Sequence, residues 1–263
     1  LHYAGARNQS IAPYRNRDST MTYCLAIKVD RGLVFASDSC TSAGVDYVTT
    51  YSKMHSFIWP DDRVIFILTS GNLATTQAVI NNIRRHLEDP DADFDLRRAR
   101  HLFEIAHYIG ALSQTEQRQH ADAAKHANIS IEASFIVGGQ INGRPPEILL
   151  IYPQGNYISA SPQTPFLQIG ENKYGKPILD RMITGDTTLE DAARCALVSL
   201  DSTMRSNLSV GPPLEVAICE KDRLDAPRRL KLTLSMPLFQ ALQTRWNEGL
   251  QHAFRELPRF DWE

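Results

Sequence analysis

Alternating apolar and polar positions predict a run of strands at the beginning of the chain. The sequence TYCLAIKVD, from Thr22 to Asp30, has apolar side chains on both strand faces: Tyr23, Leu25, Ile27 and Val29 on one, Cys24 and Ala26 on the other. This pattern is typical of a strand that is covered on both sides. A three-residue turn is predicted at 30–32, and further strands are expected at residues 33–37, 47–51, 55–59 and 64–69.

Apolar residues take up helical spacing after Ser70-Gly71-Asn72. Helices are predicted at 73–87 and about 96–119, strands at 129–138, 147–152 and 157–160, helices at 174–183 and 189–204, strands at 214–219 and 230–234, and a last helix from Pro237. Thr187 and Thr188, followed by Glu190 and Asp191, indicate a capping box at one helix start. Because strands and helices come in groups without alternating βαβ units, we expect an α+β fold of antiparallel sheets with helices on their outer faces.

The start of regular patterning suggests where the folded domain begins. The first methionine is Met21, and the segment before it contains Arg7, Arg15 and Arg17 but no apolar stretch of the secretory kind. We therefore predict that residues 1–21 are a leader, propeptide or upstream extension and that residues 22–263 form one domain. Loss of Met21, or cleavage of the leader, would leave Thr22 as the first residue.

Composition narrows the class of protein. The 263 residues include 28 Lys+Arg and 30 Asp+Glu, and 43% of them are hydrophobic, which favours a globular domain over disorder. A net charge of −2 offers no general attraction for nucleic acid, and aliphatic runs of only five residues are far too short to cross a membrane. The four cysteines show no CxxC pairing, which favours a reducing compartment, so a cytoplasmic location is expected.

Several common sites are not predicted. The sequence contains no nucleotide-binding glycine motif, no HExxH and no GxSxG. His101 and His107 are six residues apart, too far for a helical metal pair, and the acidic run from Asp89 to Asp95 lacks the glycine and distal glutamate of a calcium loop. We interpret that run as a solvated loop that also caps the second helix, and we predict no metal and no organic cofactor.

Candidate chemistry is concentrated around the first hairpin. Thr22 with a free α-amine would combine a nucleophilic hydroxyl with a base whose pKa is about 7.7 to 8.0. With a three-residue turn, Asp38 would lie opposite Cys24 and share a strand face with Thr22. Lys53 could then sit beside Asp38 and lower the pKa of the hydroxyl, and the Gly71 N–H could bind an oxyanion. Spacing alone favours the ordinary alternative, in which Asp38 is a turn or edge carboxylate, Lys53 a surface lysine and Thr22 a strand threonine.

At these residues the sequence resembles a proteasome-type β-subunit, a threonine peptidase of the N-terminal nucleophile hydrolases. TYCLAIKVDRGLVFASD resembles the opening hairpin that ends in the catalytic aspartate, YSKMHSF contains the lysine, and LTSGNLATTQ contains the oxyanion glycine. The sequence is most similar to the bacterial branch called Anbu, the ancestral β-subunit, and more distantly to HslV. The resemblance extends from Thr22 essentially to the end of the chain.

The resemblance implies a four-layer αββα sandwich and a set of site residues. Catalytic roles would fall to Thr22, Asp38, Lys53 and Gly71, with Ser209 and Glu171 in a second cluster. The specificity pocket would be lined by Thr41, Thr69 and Leu73. Subunits would assemble into ring or helical homo-oligomers that hydrolyse peptides or unfolded proteins, without a cofactor, nucleic acid or a membrane.

Two departures from the family pattern leave alternatives open. Glu171 stands where the family has a serine after a glycine, and Ser206 stands where an aspartate is usual, although Ser209 is retained. Both positions lie in the cluster that steadies the threonine amine. The rival interpretations are an amidase acting on a small or conjugated substrate with the same nucleophile, and an assembling scaffold with little or no activity.

Overall fold

Residues 22–42 and 48–262 are described by a computed structural model of the chain. The predicted leader at 1–21 lies outside the described residues. Six strands come first: β1 (Tyr23–Val29), β2 (Gly32–Ser37), β3 (Cys40–Ser42), β4 (Val48–Thr50), β5 (Met54–Trp59) and β6 (Arg63–Gly71). The elements that follow are α1 (Leu73–Glu88), α2 (Leu102–Ala127), β7 (Ala133–Ile141), β8 (Glu147–Ile151), β9 (Tyr157–Ser159), β10 (Phe166–Gly170), α3 (Lys176–Met182), α4 (Leu189–Ser206), β11 (Leu214–Glu220), β12 (Arg228–Leu232) and α5 (Pro237–Arg255).

Two five-stranded antiparallel sheets form the centre of the fold. The first has the order β10-β1-β2-β11-β12 and the second the order β5-β6-β7-β8-β9, while β3 and β4 form a separate two-stranded ribbon. Helices α1 and α2 cover the second sheet, and α4 covers the first sheet with α3 and α5 beside it. This is the predicted αββα sandwich, with both sheets antiparallel and the helices on the outside.

Three apolar cores correspond to the three boundaries between layers. One joins the first sheet to α3, α4 and α5, one joins the second sheet to α1 and α2, and the third lies between the sheets. In the third core, the rings of Phe35 and Phe66 stack with centroids 4.8 Å apart. β1 faces apolar groups on both sides, as its sequence predicted, because Tyr23 and Leu25 pack toward the helices while Cys24 and Ala26 pack between the sheets.

The first hairpin is one residue tighter than predicted. Val29 pairs with Gly32, so the turn has two residues, and Cys24 lies opposite Ser37 instead of Asp38. Gly32 has φ +143°, and a Cβ there would come within 2.1 Å of the Cys219 carbonyl oxygen on β11. The glycine therefore permits both the tight turn and the close approach of β11.

The prediction for the second helix was wrong at both ends, since α2 begins at Leu102 and continues to Ala127. The carboxylate of Asp95 accepts hydrogen bonds from the backbone N–H groups of Arg97 and Arg98, which forms a local turn. The buried guanidinium of Arg63 binds the carbonyl oxygens of Leu96 and Ala99. These backbone N–H and carbonyl groups therefore stabilise the turn instead of a helix. The acidic run does not cap α2, because the N-cap residue of α2 is His101.

Two strands were missed and several other boundaries move by a few residues. The missed strands are β3 and β10, and β10 forms one edge of the first sheet through its pairing with β1. Strand β7 begins at Ala133, four residues later than predicted, because Asn128 ends α2 in the left-handed conformation and an irregular segment follows. Thr188 is confirmed as the cap of α4, since its Oγ1 accepts the N–H of Asp191. Within the described residues, no helix combines the length and apolar character needed to span a bilayer.

Candidate active site

Thr22 immediately precedes β1 and is 95% buried, with a relative exposure of 5%. Its carbonyl oxygen accepts a 2.7 Å hydrogen bond from the backbone N–H of Glu171. The neighbouring Gly170 has φ +84°, and a Cβ at that position would lie 1.8 Å from the Thr22 carbonyl oxygen. Only a glycine at 170 allows this approach, which fixes Thr22 against the end of β10.

Asp38 follows β2 and is completely buried. Its Oδ1 accepts the backbone N–H of Tyr23 at 3.1 Å and the ammonium of Lys53 at 2.8 Å, and its Oδ2 accepts the N–H of Gly211 at 3.3 Å. Burial raises the pKa of this carboxyl, while Lys53 and the two backbone donors act in the opposite direction. The three donors hold the Asp38 carboxylate against the backbone of Tyr23, the residue that follows Thr22.

Lys53 reaches Asp38 from the second sheet. It directly precedes β5, is 6% exposed, and donates both to Asp38 and to the carbonyl oxygen of Cys40 at 2.6 Å. Its own carbonyl oxygen accepts the N–H of Thr69 at 3.0 Å. The ion pair between Lys53 and Asp38 therefore joins the two sheets at the end where Thr22 lies.

Gly71 lies at the junction of β6 and α1. It pairs with Ala133, has φ +101°, and a Cβ there would come within 2.3 Å of the Glu132 carbonyl oxygen. Asn72 caps α1, since its Oδ1 accepts the N–H of Thr75. The preceding residues adjoin β1, because the Thr69 carbonyl oxygen accepts the thiol of Cys24 at 3.6 Å. Gly71 therefore lies at the start of α1, two residues after the contact between β6 and β1.

The three predicted pocket residues have different surroundings. Thr69 is buried at the end of β6, next to Lys53 in the backbone ladder. Leu73 is half-buried as the first residue of α1. Thr41 pairs with Thr49 in the ribbon of β3 and β4, and its side chain lies outside what the structure describes. Thr69 is therefore brought next to Lys53, while Leu73 follows four residues later at the head of α1.

The second cluster is assembled from two loops. Glu171 is half-buried, and its carboxylate accepts from the Asn207 side chain at 3.4 Å and from the N–H of Lys173 at 3.4 Å. Ser209 is half-buried in the loop after α4, and its N–H donates to Asn207 Oδ1 at 3.0 Å. The same loop contains Gly211, which contacts Asp38. Ser206 is exposed at the end of α4.

Two contributors were missed by the sequence reasoning. Gly211 supplies a donor to Asp38 from 173 positions away, and no local pattern signals it. Tyr23 was placed in the core by alternation, but its hydroxyl bonds to Ser199 at 2.7 Å and to Gln168. Burial raises the pKa of the Tyr23 hydroxyl. Tyr23 is thus held both at its N–H, by Asp38, and at its hydroxyl, by α4 and β10.

This arrangement suits chemistry by side-chain and backbone groups. Across 22–42 and 48–262, no group of three or more His, Cys, Asp or Glu side chains is placed to hold a metal ion. What the site provides is a buried threonine beside a buried carboxylate and ammonium. Such a set can lower the pKa of a hydroxyl and orient it for attack.

Comparisons with known proteins agree with this fold. The profile of the family described as proteasome subunit matches residues 19–219. Anbu (ancestral beta-subunit) from Yersinia bercovieri is 40% identical with a TM-score of 0.85, covering 91% of this chain and 99% of its own. The Anbu complex from Pseudomonas aeruginosa is 44% identical with a TM-score of 0.86, covering 91% and 98%. Anbu from Hyphomicrobium sp. strain MC1 is 42% identical with a TM-score of 0.83, covering 91% and 100%.

No curated protein sequence matches this chain. The matches to the family profile and to solved structures nevertheless extend over most of its length, at identities well above those that show a shared fold alone. The chain therefore belongs to the proteasome subunit family and is similar, over nine-tenths of its length, to the Anbu proteins.

Proposed function

We propose that this protein is a proteasome-like threonine endopeptidase whose nucleophile is Thr22, made N-terminal by loss of residues 1–21. The observation that carries the proposal is the buried contact of 2.8 Å between Lys53 Nζ and Asp38 Oδ1, because the same oxygen accepts the backbone N–H of Tyr23, the residue that follows Thr22. A buried ion pair costs desolvation energy, so its place next to the residue that follows a buried threonine supports a role in chemistry.

In the proposed reaction, Thr22 Oγ1 bonds to the carbonyl carbon of a peptide while its proton passes to the α-amine, directly or through water. The tetrahedral oxyanion collapses, the C–N bond breaks, and the proton moves to the departing amine. Water then attacks the resulting ester, which releases the acid and returns a proton to Oγ1. No metal or organic cofactor takes part in these steps.

The other residues receive roles from their positions. The Lys53 ammonium has three donors; within the described residues two go to Asp38 and Cys40, and we assign the third to Thr22 Oγ1. The N–H of Gly71 is assigned to the oxyanion. Glu171 and Ser209 belong to the second cluster, beside the α-amine, and Thr41, Thr69 and Leu73 are assigned to the specificity pocket.

We also infer that the protein assembles with copies of itself. The similar protein from Pseudomonas aeruginosa forms a helical assembly, and rings are the other arrangement that we consider. The surface supports this inference, because α5 exposes Leu238, Leu250 and Phe254 by 57%, 51% and 75%. Enclosure of the sites would restrict the substrates to peptides or unfolded protein. A cytoplasmic location stays a prediction.

Two measurements test the function. Intact mass of the native protein reports whether the chain begins at Thr22. Reaction with an electrophile specific for N-terminal threonines should then add one label per chain, and Thr22→Ala should abolish labelling and peptide turnover while leaving the assembly size unchanged. Turnover by Thr22→Ala, or a chain that retains residues before Thr22 in the active protein, would refute the proposal.

The two rival functions give different outcomes in the same experiments. An amidase would be labelled and would hydrolyse small or conjugated amides but no peptide. A scaffold would assemble but would not be labelled, even if Thr22 were the first residue. The replacements at Glu171 and Ser206 make this scaffold function the second candidate. Light scattering on each sample reports the assembly state independently of activity.

A further inference from the structure

A row of side chains crosses the first sheet at the end nearest Thr22. Cys24 pairs with Ser37, Ser37 pairs with Glu215, and Glu215 pairs with Lys231, so the row runs from β1 to β12. Residues two positions further along these strands, Ala26, Phe35 and Ala217, lie in the core between the sheets. Since side chains alternate along a strand, Glu215 projects into the same space, toward the second sheet.

Glu215 is a buried carboxylate, with 9% of its surface exposed. Its main partner is the Ser52 hydroxyl, which donates to Oε2 at 2.7 Å. Lys231 is more distant, at 3.8 Å from Oε1, and its own side chain is 61% exposed. Because a buried carboxylate is costly without a close donor, the bond to Ser52 is the contact that makes this position tolerable.

Ser52 controls the segment from which Lys53 extends. Its Oγ also accepts the N–H of Met54 at 3.4 Å, which closes a small turn around Lys53. The flanking Tyr51 N–H donates to the Ser39 carbonyl oxygen at 3.0 Å. Glu215 therefore binds the residue next to Lys53, namely Ser52. Glu215 lies in the first sheet, and Asp38 directly follows a strand of the same sheet.

The charge of Glu215 also acts within this cluster. Burial is the largest cause that raises the pKa of the Cys24 thiol, the carboxylates of Asp38 and Glu215 raise it further, and Lys53 lowers it. The pKa of one thiol thus responds to all three charged groups. Glu215 belongs to the same electrostatic environment as the ion pair, although it touches neither of its members directly.

We propose that Glu215 is a positioning residue for the site: by holding Ser52, it fixes the turn that aims the Lys53 ammonium at Asp38. This inference rests on the proposed threonine peptidase function. It assigns to Glu215 no contact with the substrate or the reacting atoms. Its effect is on the placement of Lys53, where displacements of about 1 Å can lower a rate by roughly a hundredfold.

The test compares variants of Glu215 and Ser52 on protein whose chain begins at Thr22. Glu215→Ala and Ser52→Ala each break the hydrogen bond, while Glu215→Gln keeps an oxygen that can accept from Ser52. Glu220→Gln, at the exposed end of β11, is the matched control. We expect Glu215→Ala and Ser52→Ala to lower kcat about tenfold or more with KM within about twofold, and the double variant to be no worse than either single variant. Glu215→Gln and Glu220→Gln should stay within about threefold of wild type.

Wild-type kcat in either alanine variant would overturn the proposal, and so would an equal loss in Glu215→Gln and Glu215→Ala, which would indicate charge instead of position. If Glu215→Ala fails to fold, Ser52→Ala decides. A crystal structure of the folded variant gives a readout that does not need activity: the distance from Lys53 Nζ to Asp38 Oδ1 should exceed 3.5 Å, the usual limit of a hydrogen bond. If the variant keeps the contact between Lys53 and Asp38, the positioning role of Glu215 is overturned, even if the wild type proves inactive. If the variant loses this contact and the wild type is inactive, only the peptidase function is refuted.

Discussion

The backbone N–H of Glu171 donates a 2.7 Å hydrogen bond to the carbonyl oxygen of Thr22. This contact uses the main chain of Glu171, so it does not depend on which side chain occupies position 171. The side chain adds a longer contact of 3.4 Å to Asn207. The replacement of the family's serine by glutamate therefore leaves the attachment of Thr22 to β10 in place.

The first prediction separates these two contributions. Glu171→Ala removes the carboxylate but retains the N–H, so we expect a partial loss of kcat, about tenfold, with the assembly intact. Peptide turnover and light scattering measure the two effects, with Lys173→Ala, an exposed neighbour, as the control. An unchanged kcat would remove Glu171 from the set of catalytic residues that we propose.

The second prediction concerns the ion pair. Lys53→Ala leaves the Asp38 carboxylate buried without its cation, which should cost about 3 to 5 kcal/mol in the free energy of unfolding and lower kcat by at least about a hundredfold. Adding Asp38→Asn should restore much of the stability without restoring turnover. Chemical denaturation and peptide hydrolysis provide the two readouts. Recovery of turnover in the double variant would contradict the assigned roles.

The same pair predicts a pH dependence. The folded-state pKa of Asp38 is raised above its ordinary value by burial, so the stability associated with the neutral carboxyl is present at low pH and is lost as pH rises through the folded pKa. Lys53→Ala removes the cation that opposes this shift. The difference in unfolding free energy between wild type and Lys53→Ala should therefore be larger at pH 7.5 than at pH 4. A difference that does not change with pH would contradict this effect of Lys53 on the pKa of Asp38.

The third prediction uses two glycines as a matched pair. Gly170→Ala would place a Cβ 1.8 Å from the Thr22 carbonyl oxygen at φ +84°, whereas Gly249, in α5, has no atom within 4 Å of an added Cβ. Gly170→Ala should lower the free energy of unfolding by more than about 2 kcal/mol and reduce activity. Gly249→Ala should raise stability by up to about 1 kcal/mol. Equal melting temperatures for the two variants would argue against the close approach at Gly170.

The fourth prediction concerns His55, in β5. Burial, with Arg84 and Arg229 nearby, lowers its pKa from 6.5 to about 4. Between pH 6.5 and about pH 4, His55 therefore binds a proton in the unfolded chain but not in the folded protein. The free energy of unfolding falls by up to about 3 kcal/mol as the pH is lowered through this range. His55→Gln should flatten this dependence in denaturation experiments at pH 7.5 and 5, whereas His252→Gln, on the exposed face of α5, should not.

Much of the fold follows from local pattern. The alternation in β1 and β2, the helical spacing after Gly71 and the grouping of strands and helices predicted most of the order of elements and antiparallel sheets with helices on their outer faces. Hydrogen bonds that no periodic pattern encodes explain the error in the second helix. Arg63 engages the Leu96 and Ala99 carbonyl oxygens that a helix could have used, and this contact joins residues more than thirty positions apart.

The sequence by itself determined which residue types could form the site, because Thr22, Asp38, Lys53 and Gly71 stand in motifs that resemble a known family. Only the tertiary structure decided how they meet. The hairpin turn is one residue shorter than expected, Gly211 reaches Asp38 from a distant loop, and Glu215 reaches Lys53 through Ser52. Periodicity is a property of neighbouring residues, whereas these contacts depend on the register and packing of strands that are far apart in the chain.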